Sequence, residues 1–150
     1  MMKLDAIDRR IVAALQANGR MSTLEVAERV GLSASPCSRR IKALEEAGVI
    51  EGYGARINPG ALGLNISVVV SVRLGKFGPE GHQQFQQAIS GRPEITQWLL
   101  VTGSVDYLLS VRVKDIEALR EFVTNTLQSI PIVAETSTMV VLETGHAARA

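Results

Sequence analysis

The sequence predicts an α+β chain of two units, a three-helix unit followed by one that runs β-α-β-β-α-β. Three observations carry this prediction. Up to Gly48, apolar residues recur at helical spacing in runs that open on a capping residue and close at a turn residue. The stretch from Ile66 to Leu74 alternates instead, with apolar side chains at every second position. Beyond it, helical stripes and short β-type runs take turns as far as Glu143.

In the first unit, Asp5 precedes the stripe Ile7, Ile11, Leu15, and Asn18-Gly19 closes it, which predicts an N-capped amphipathic helix. Ser22-Thr23-Leu24-Glu25 reads as a capping box that opens a second helix, with Leu24, Ala27 and Val30 as its expected apolar stripe. Gly31 sits where a left-handed residue is needed to leave that helix. Ser33 starts a third, with the seam Cys37, Ile41, Leu44 and an end at Gly48.

Helix, short glycine-containing turn and helix is the sequence form of a helix-turn-helix, whose second member can enter a DNA major groove. A plain three-helix bundle is the alternative. With the Cys37/Ile41/Leu44 seam turned inward, Ser35, Arg39, Lys42 and Glu46 point outward and Ser38 lies at the flank. Hydroxyls and cations therefore occupy the N-terminal half of the exposed face, and acids its end, which is the order a groove-reading helix needs. Val49 to Ile57 follows as a glycine-punctuated, strand-like linker that Asn58-Pro59-Gly60 breaks. Residues 1–60 are thus expected to form one domain and 61–150 the other.

In the second unit, Gly78-Pro79-Glu80 opens a helix marked by Phe85 and Ile89. Strands are expected from Ile95 to Thr102 and from Tyr107 to Val113, around the hairpin loop Gly103-Ser104-Val105-Asp106. Asp115 caps one long helix with the stripe Ile116, Leu119, Val123, Leu127, Ile130, and Ala134 to Glu143 forms the last strand. The order β-α-β-β-α-β is that of a ferredoxin-like sandwich, two helices on one face of a four-stranded antiparallel sheet. Counting by parity puts Val69, Trp98, Leu100 and Leu108 on the other face. A face that apolar calls for a partner chain, so a homodimer is expected.

The bulk properties fit these elements. Of 150 residues, 46% are hydrophobic and 21% charged, a globular composition. The formal net charge of +1 singles out no nucleic-acid binder, so charge position on the helices matters more than the total. The charged start and the lack of any apolar run near the ~18 residues of a span predict a cytoplasmic protein without a membrane segment. The single cysteine, Cys37, lies on an inward seam and reads as a packed core thiol. His82 and His146 stand far apart in the sequence, no catalytic spacing accompanies them, and neither a metal site nor a cofactor is implied.

Leu4-Asp5-Ala6-Ile7-Asp8-Arg9-Arg10-Ile11, Asn18-Gly19-Arg20, Val30-Gly31-Leu32-Ser33, Pro36-Cys37, Arg39-Arg40-Ile41-Lys42-Ala43-Leu44-Glu45 and Gly48-Val49-Ile50 closely resemble the Lrp/AsnC (feast/famine) family of transcription regulators. So do Asn58-Pro59 and Gly103-Ser104-Val105-Asp106-Tyr107-Leu108-Leu109. The resemblance covers nearly the whole chain. It implies a winged-helix-like domain that reads double-stranded DNA, joined to a ferredoxin-like domain that pairs into dimers, which assemble to octamers, and senses an amino-acid effector.

The DNA-contacting set it implies is Ser33, Ser35, Pro36, Ser38, Arg39, Arg40 and Lys42, with Arg40 and Lys42 serving mainly phosphates. The effector set is Thr102, Gly103, Ser104, Asp106 and Tyr107, with amides near Gly103 for the effector carboxylate and Asp106 for its ammonium. Where the family commonly carries an acid after the loop glycine, this chain has Ser104. The expected protein is a sequence-specific, non-enzymatic regulator of amino-acid-related metabolism. The alternative is a ferredoxin-like metabolite-binding module or small enzyme with a helical appendage, because fold alone decides little about function.

Overall fold

A computed structural model describes residues 3–75 and 78–145. The chain divides into two compact units, one running to Arg56 and the other beginning at Ile57.

The first unit holds α1 (Ala6–Ala17), α2 (Thr23–Val30) and α3 (Ala34–Glu46). Asp5 and Asp8 form a capping box at the start of α1, and Ser22 and Glu25 form another at the start of α2, so each helix begins with its N-cap and N3 amides satisfied. Gly31 leaves α2 in the left-handed region (φ 75°), and the Leu32 amide donates back to the Ala27 carbonyl at 2.9 Å. The core is Ile11, Val26, Ala27, Val30, Cys37 and Leu44. Burial pushes the Cys37 thiol pKa up, so it packs as a small hydrophobe.

Two expectations fail here. Leu24 is 59% exposed, and Val26 takes its place in the core, because Val26, Ala27 and Val30 share one face of this short helix and Leu24 lies beside it. Val49 to Ile57 forms no strand. Its first two amides bond back to the Leu44 carbonyl instead, and Tyr53 donates its hydroxyl hydrogen to Glu45 Oε1 at 2.8 Å.

The second unit holds β1 (Ile66–Leu74), α4 (Pro79–Ile89), β2 (Ile95–Leu100), β3 (Tyr107–Val113), α5 (Ile116–Glu121) and β4 (Val133–Val140). The sheet order is β2-β3-β1-β4, antiparallel throughout, which is the ferredoxin-like arrangement. Val68, Val70, Val72, Leu109 and Val111 form the covered face with Phe85 and Ile89 of α4 and Leu119 of α5.

The expected long helix after Asp115 changes character at its middle. The α-helix ends at Glu121 and a π-helical stretch, Phe122–Leu127, continues it. The wider turn places Phe122 and Leu127, five residues apart, together in the core, while Ile116 is left 63% exposed and Val123 half-buried.

Parity also changes along β2. Ile95 pairs with Val111, but Gln97 pairs with Ser110, so a bulge shifts the register between them. Trp98 and Leu100 consequently share the helix-covered side with their partners Leu109 and Tyr107, and Leu99 turns to the open face beside Leu108. The open face therefore carries Val69, Leu99, Leu108 and Met139, and the placement of Trp98 and Leu100 there by simple alternation is corrected.

Candidate nucleic-acid interface and effector loop

Ser33 caps α3 without a side-chain hydrogen bond, and no acid lies in the first turn. Ser33, Ser35, Ser38, Arg39 and Lys42 are exposed, and Pro36 is half-buried. The free amides of a helix N-terminus and this run of hydroxyls and cations suit a polyanion, since the helix dipole and the side chains act in the same direction. Arg39 has no hydrogen-bond or ion-pair partner among the described residues. Lys42 is only loosely paired with Glu46, at 3.7 Å on an exposed surface.

Arg40 behaves differently from its neighbours. Its Nη1 bonds Asp5 Oδ2 and Asp8 Oδ1, both at 2.7 Å, tying α3 to the start of α1. The two carboxylates raise the Arg40 pKa, with Asp8 the stronger cause. The Asp5 carboxyl is held below its ordinary value, chiefly by the Asp8 amide and then by Arg40. Arg40, expected on phosphates, thus serves as a strut between helices.

The loop after β2 brings together only part of the expected effector set. Thr102, Gly103 and Ser104 are exposed, and Gly103 has φ 125°, a conformation L side chains rarely adopt. Asp106 Oδ2 accepts the Leu74 amide hydrogen at 2.7 Å, while the Asp106 amide donates to the Val72 carbonyl at 3.0 Å. Its carboxylate is therefore engaged in fastening the loop to the end of β1. Tyr107 is fully buried on the helix side, against Phe85. Its hydroxyl lies 3.1 Å from His82 Nδ1 and accepts from Gln86 Nε2 at 3.1 Å. His146 lies outside the described residues.

A cleft of about 270 Å³ opens at the loop end of the open sheet face, lined by Ser71, Arg73, Ser104, Val105, Glu135 and Ser137. Of the expected effector residues only Ser104 reaches it. Sequence reading missed Arg73 and Glu135, although opposite charges at like-facing positions of two strands were visible. What it lacked was the β1–β4 register that sets them directly across from each other. Among the described residues no group of three or more His, Cys, Asp or Glu is placed to hold a metal ion. Nor is any helix there long and apolar enough to cross a membrane.

Comparison with known proteins bears on both units. Residues 4–51 match the winged helix-turn-helix DNA-binding family, and residues 67–148 match the Lrp/AsnC ligand binding domain. The chain is 43% identical over 140 residues to the leucine-responsive regulatory proteins of Klebsiella pneumoniae and Escherichia coli, covering 93% of this chain and 85% of each relative. Among solved structures, a Neisseria meningitidis transcriptional regulator crystallised as an L-Met complex superposes with TM-score 0.91 at 35% identity, over 97% of this chain and 95% of that one. An AsnC family transcriptional regulator from Agrobacterium tumefaciens gives TM-score 0.89 at 32% identity, over 98% and 96%.

Proposed function

This chain belongs to the Lrp/AsnC family of transcription regulators, and we propose that α3 supplies its DNA-reading surface while an amino acid bound in the second unit modulates it. The observation that carries the reading is the exposed N-terminal half of α3. Ser33, Ser35, Pro36 and Ser38 lie where the helix enters a groove, Arg39 is free to reach base edges, and Lys42 is placed for a phosphate. Arg40 supports this surface from behind through Asp5 and Asp8.

An amino acid as effector is supported by the L-Met complex of the Neisseria neighbour. Thr102, Gly103 and Ser104 border the site, with Asp106 and Tyr107 acting as the anchors that hold the loop. The open sheet face, with Val69, Leu99, Leu108 and Met139, pairs with the same face of a second copy to form a dimer. Dimers then assemble to octamers. The protein works in the cytoplasm, by binding rather than turnover, on genes of amino-acid-related metabolism.

A gel-shift titration on the chain's own upstream region tests the reading. A retarded complex that survives excess random DNA is expected, and equal affinity for both sequences would refute it.

A further inference from the structure

We propose that the cleft between α1 and α2 docks an acidic segment of a partner protein while α3 is on DNA. The site lies within the first unit and is separate from both functions assigned above.

The cleft holds about 340 Å³. Its lining combines the buried Ala14 and Val30, the exposed Ala13 and Ala17 of α1, and the exposed Arg10 and Arg29, with Gln16 completing it. Arg10 Nη2 donates to the Arg29 carbonyl at 3.2 Å, which brings the Arg10 guanidinium to the C-terminal end of α2, where Arg29 also stands. Two cations thus border one small apolar hollow. No acid lines it, and neither guanidinium makes an ion pair among the described residues. The negative end of the α2 dipole, about half a charge, offsets only part of the two.

Charge and shape together select the occupant. Two uncompensated guanidiniums call for carboxylates or phosphates, each of which fits the planar fork bidentately. The alanines decide between these. Their short side chains let another chain approach α1 closely, and their methyl groups gain from contact with a peptide's apolar side chains, of which a phosphate backbone has none. No residue of α3 lines the cleft, so reading DNA through α3 makes no demand on it. The partner class is therefore a protein segment that presents two acidic side chains around an apolar one.

Fluorescence anisotropy of a labelled helical peptide built from Glu-Ala-Leu-Glu repeats, titrated with the full-length protein free and operator-bound, tests the proposal. The same peptide with Gln for every Glu is the charge control. Wild type should bind the acidic peptide in both states, and the neutral one about tenfold or more weakly. Arg10→Gln and Arg29→Gln should each lose about tenfold in affinity for the acidic peptide, with operator affinity and its salt slope unchanged. Arg29→Gln leaves the bond from Arg10 in place, because that bond uses the Arg29 carbonyl, so its loss does not come from unfolding.

Two further variants separate seating in the cleft from attraction by net charge. Arg9→Gln removes an exposed cation of α1 outside the cleft and should bind like wild type. Ala13→Phe keeps every charge but narrows the cleft, and should lose as much as the arginine variants. Equal affinity of wild type for the acidic and neutral peptides, or of the cleft variants and wild type for the acidic one, would overturn the proposal. A salt slope of operator binding lowered by about one in Arg10→Gln or Arg29→Gln, or release of the peptide by the operator, would also overturn it and give the cleft to DNA phosphates.

Discussion

Arg40 of α3 holds Asp8 of α1 at 2.7 Å, and the Asp8 side chain is only 4% exposed. A nearly buried carboxylate depends on its counterion, because removing one partner strands the other charge away from water. Arg40→Ala should therefore destabilise the first unit and lower its unfolding midpoint, by less than a fully buried pair would because Arg40 itself remains partly solvated. Urea unfolding followed by helical circular dichroism measures this. A midpoint equal to wild type, with a lowered salt slope of DNA binding, would return Arg40 to the phosphate contacts.

The capping carboxylates set the acid limit of the same unit. Asp5 titrates below its ordinary 3.8 and Glu25 below its ordinary 4.5, the latter because the Ser22 amide and then its hydroxyl donate to the carboxylate. A depressed pKa stabilises the folded state above the unfolded value, and that stability is lost as pH falls through the folded one. Stability should stay level with respect to these two groups from pH 7 down to about 4.5 and fall below it. In the Asp5→Asn, Glu25→Gln double variant, whose amides still accept cap bonds, the acid limb should be shallower. An identical limb would place the titrating groups elsewhere.

Asp106 holds the loop whether or not a ligand is present. Asp106→Ala leaves the part-buried Leu74 amide without its acceptor and should cost about 1–3 kcal/mol in thermal unfolding without any amino acid added. Asp106→Asn retains an acceptor oxygen and should recover most of that loss. If neither substitution moves the midpoint, the Asp106 carboxylate does not fasten the loop.

Much of this arrangement was legible in the residues themselves. The capping boxes at Asp5 and Ser22, the exit at Gly31 and the full span of β1 follow from local rules that need no partner. The failures share a cause, which is that tertiary geometry chose between locally equal options. Val26 displaced Leu24 from the α2 core, the bulge before Gln97 exchanged Leu99 for Leu100, and the π turn brought Phe122 inward. The site divided the same way. The α3 surface is read from helical spacing, whereas the engagement of Arg40, Asp106 and Tyr107 involves partners 21 to 35 positions away in sequence.

Assembly tests the corrected sheet face. Leu108→Asp places a charge at the centre of the proposed dimer surface, so sedimentation should shift from dimer or larger to monomer. Leu100→Asp, on the helix-covered side of the edge strand, should leave the assembly intact. The opposite pattern would restore simple alternation along β2.

The central claim, that the exposed half of α3 reads DNA, is tested most directly by the salt dependence of binding for Arg39→Ala and Lys42→Ala on operator and random duplexes. Arg39→Ala should cost about 1–3 kcal/mol on the operator and little on random DNA. Lys42→Ala should weaken both alike and lower the slope of log affinity against log salt by about one. Wild-type affinity and slope for both variants on both duplexes would contradict the claim.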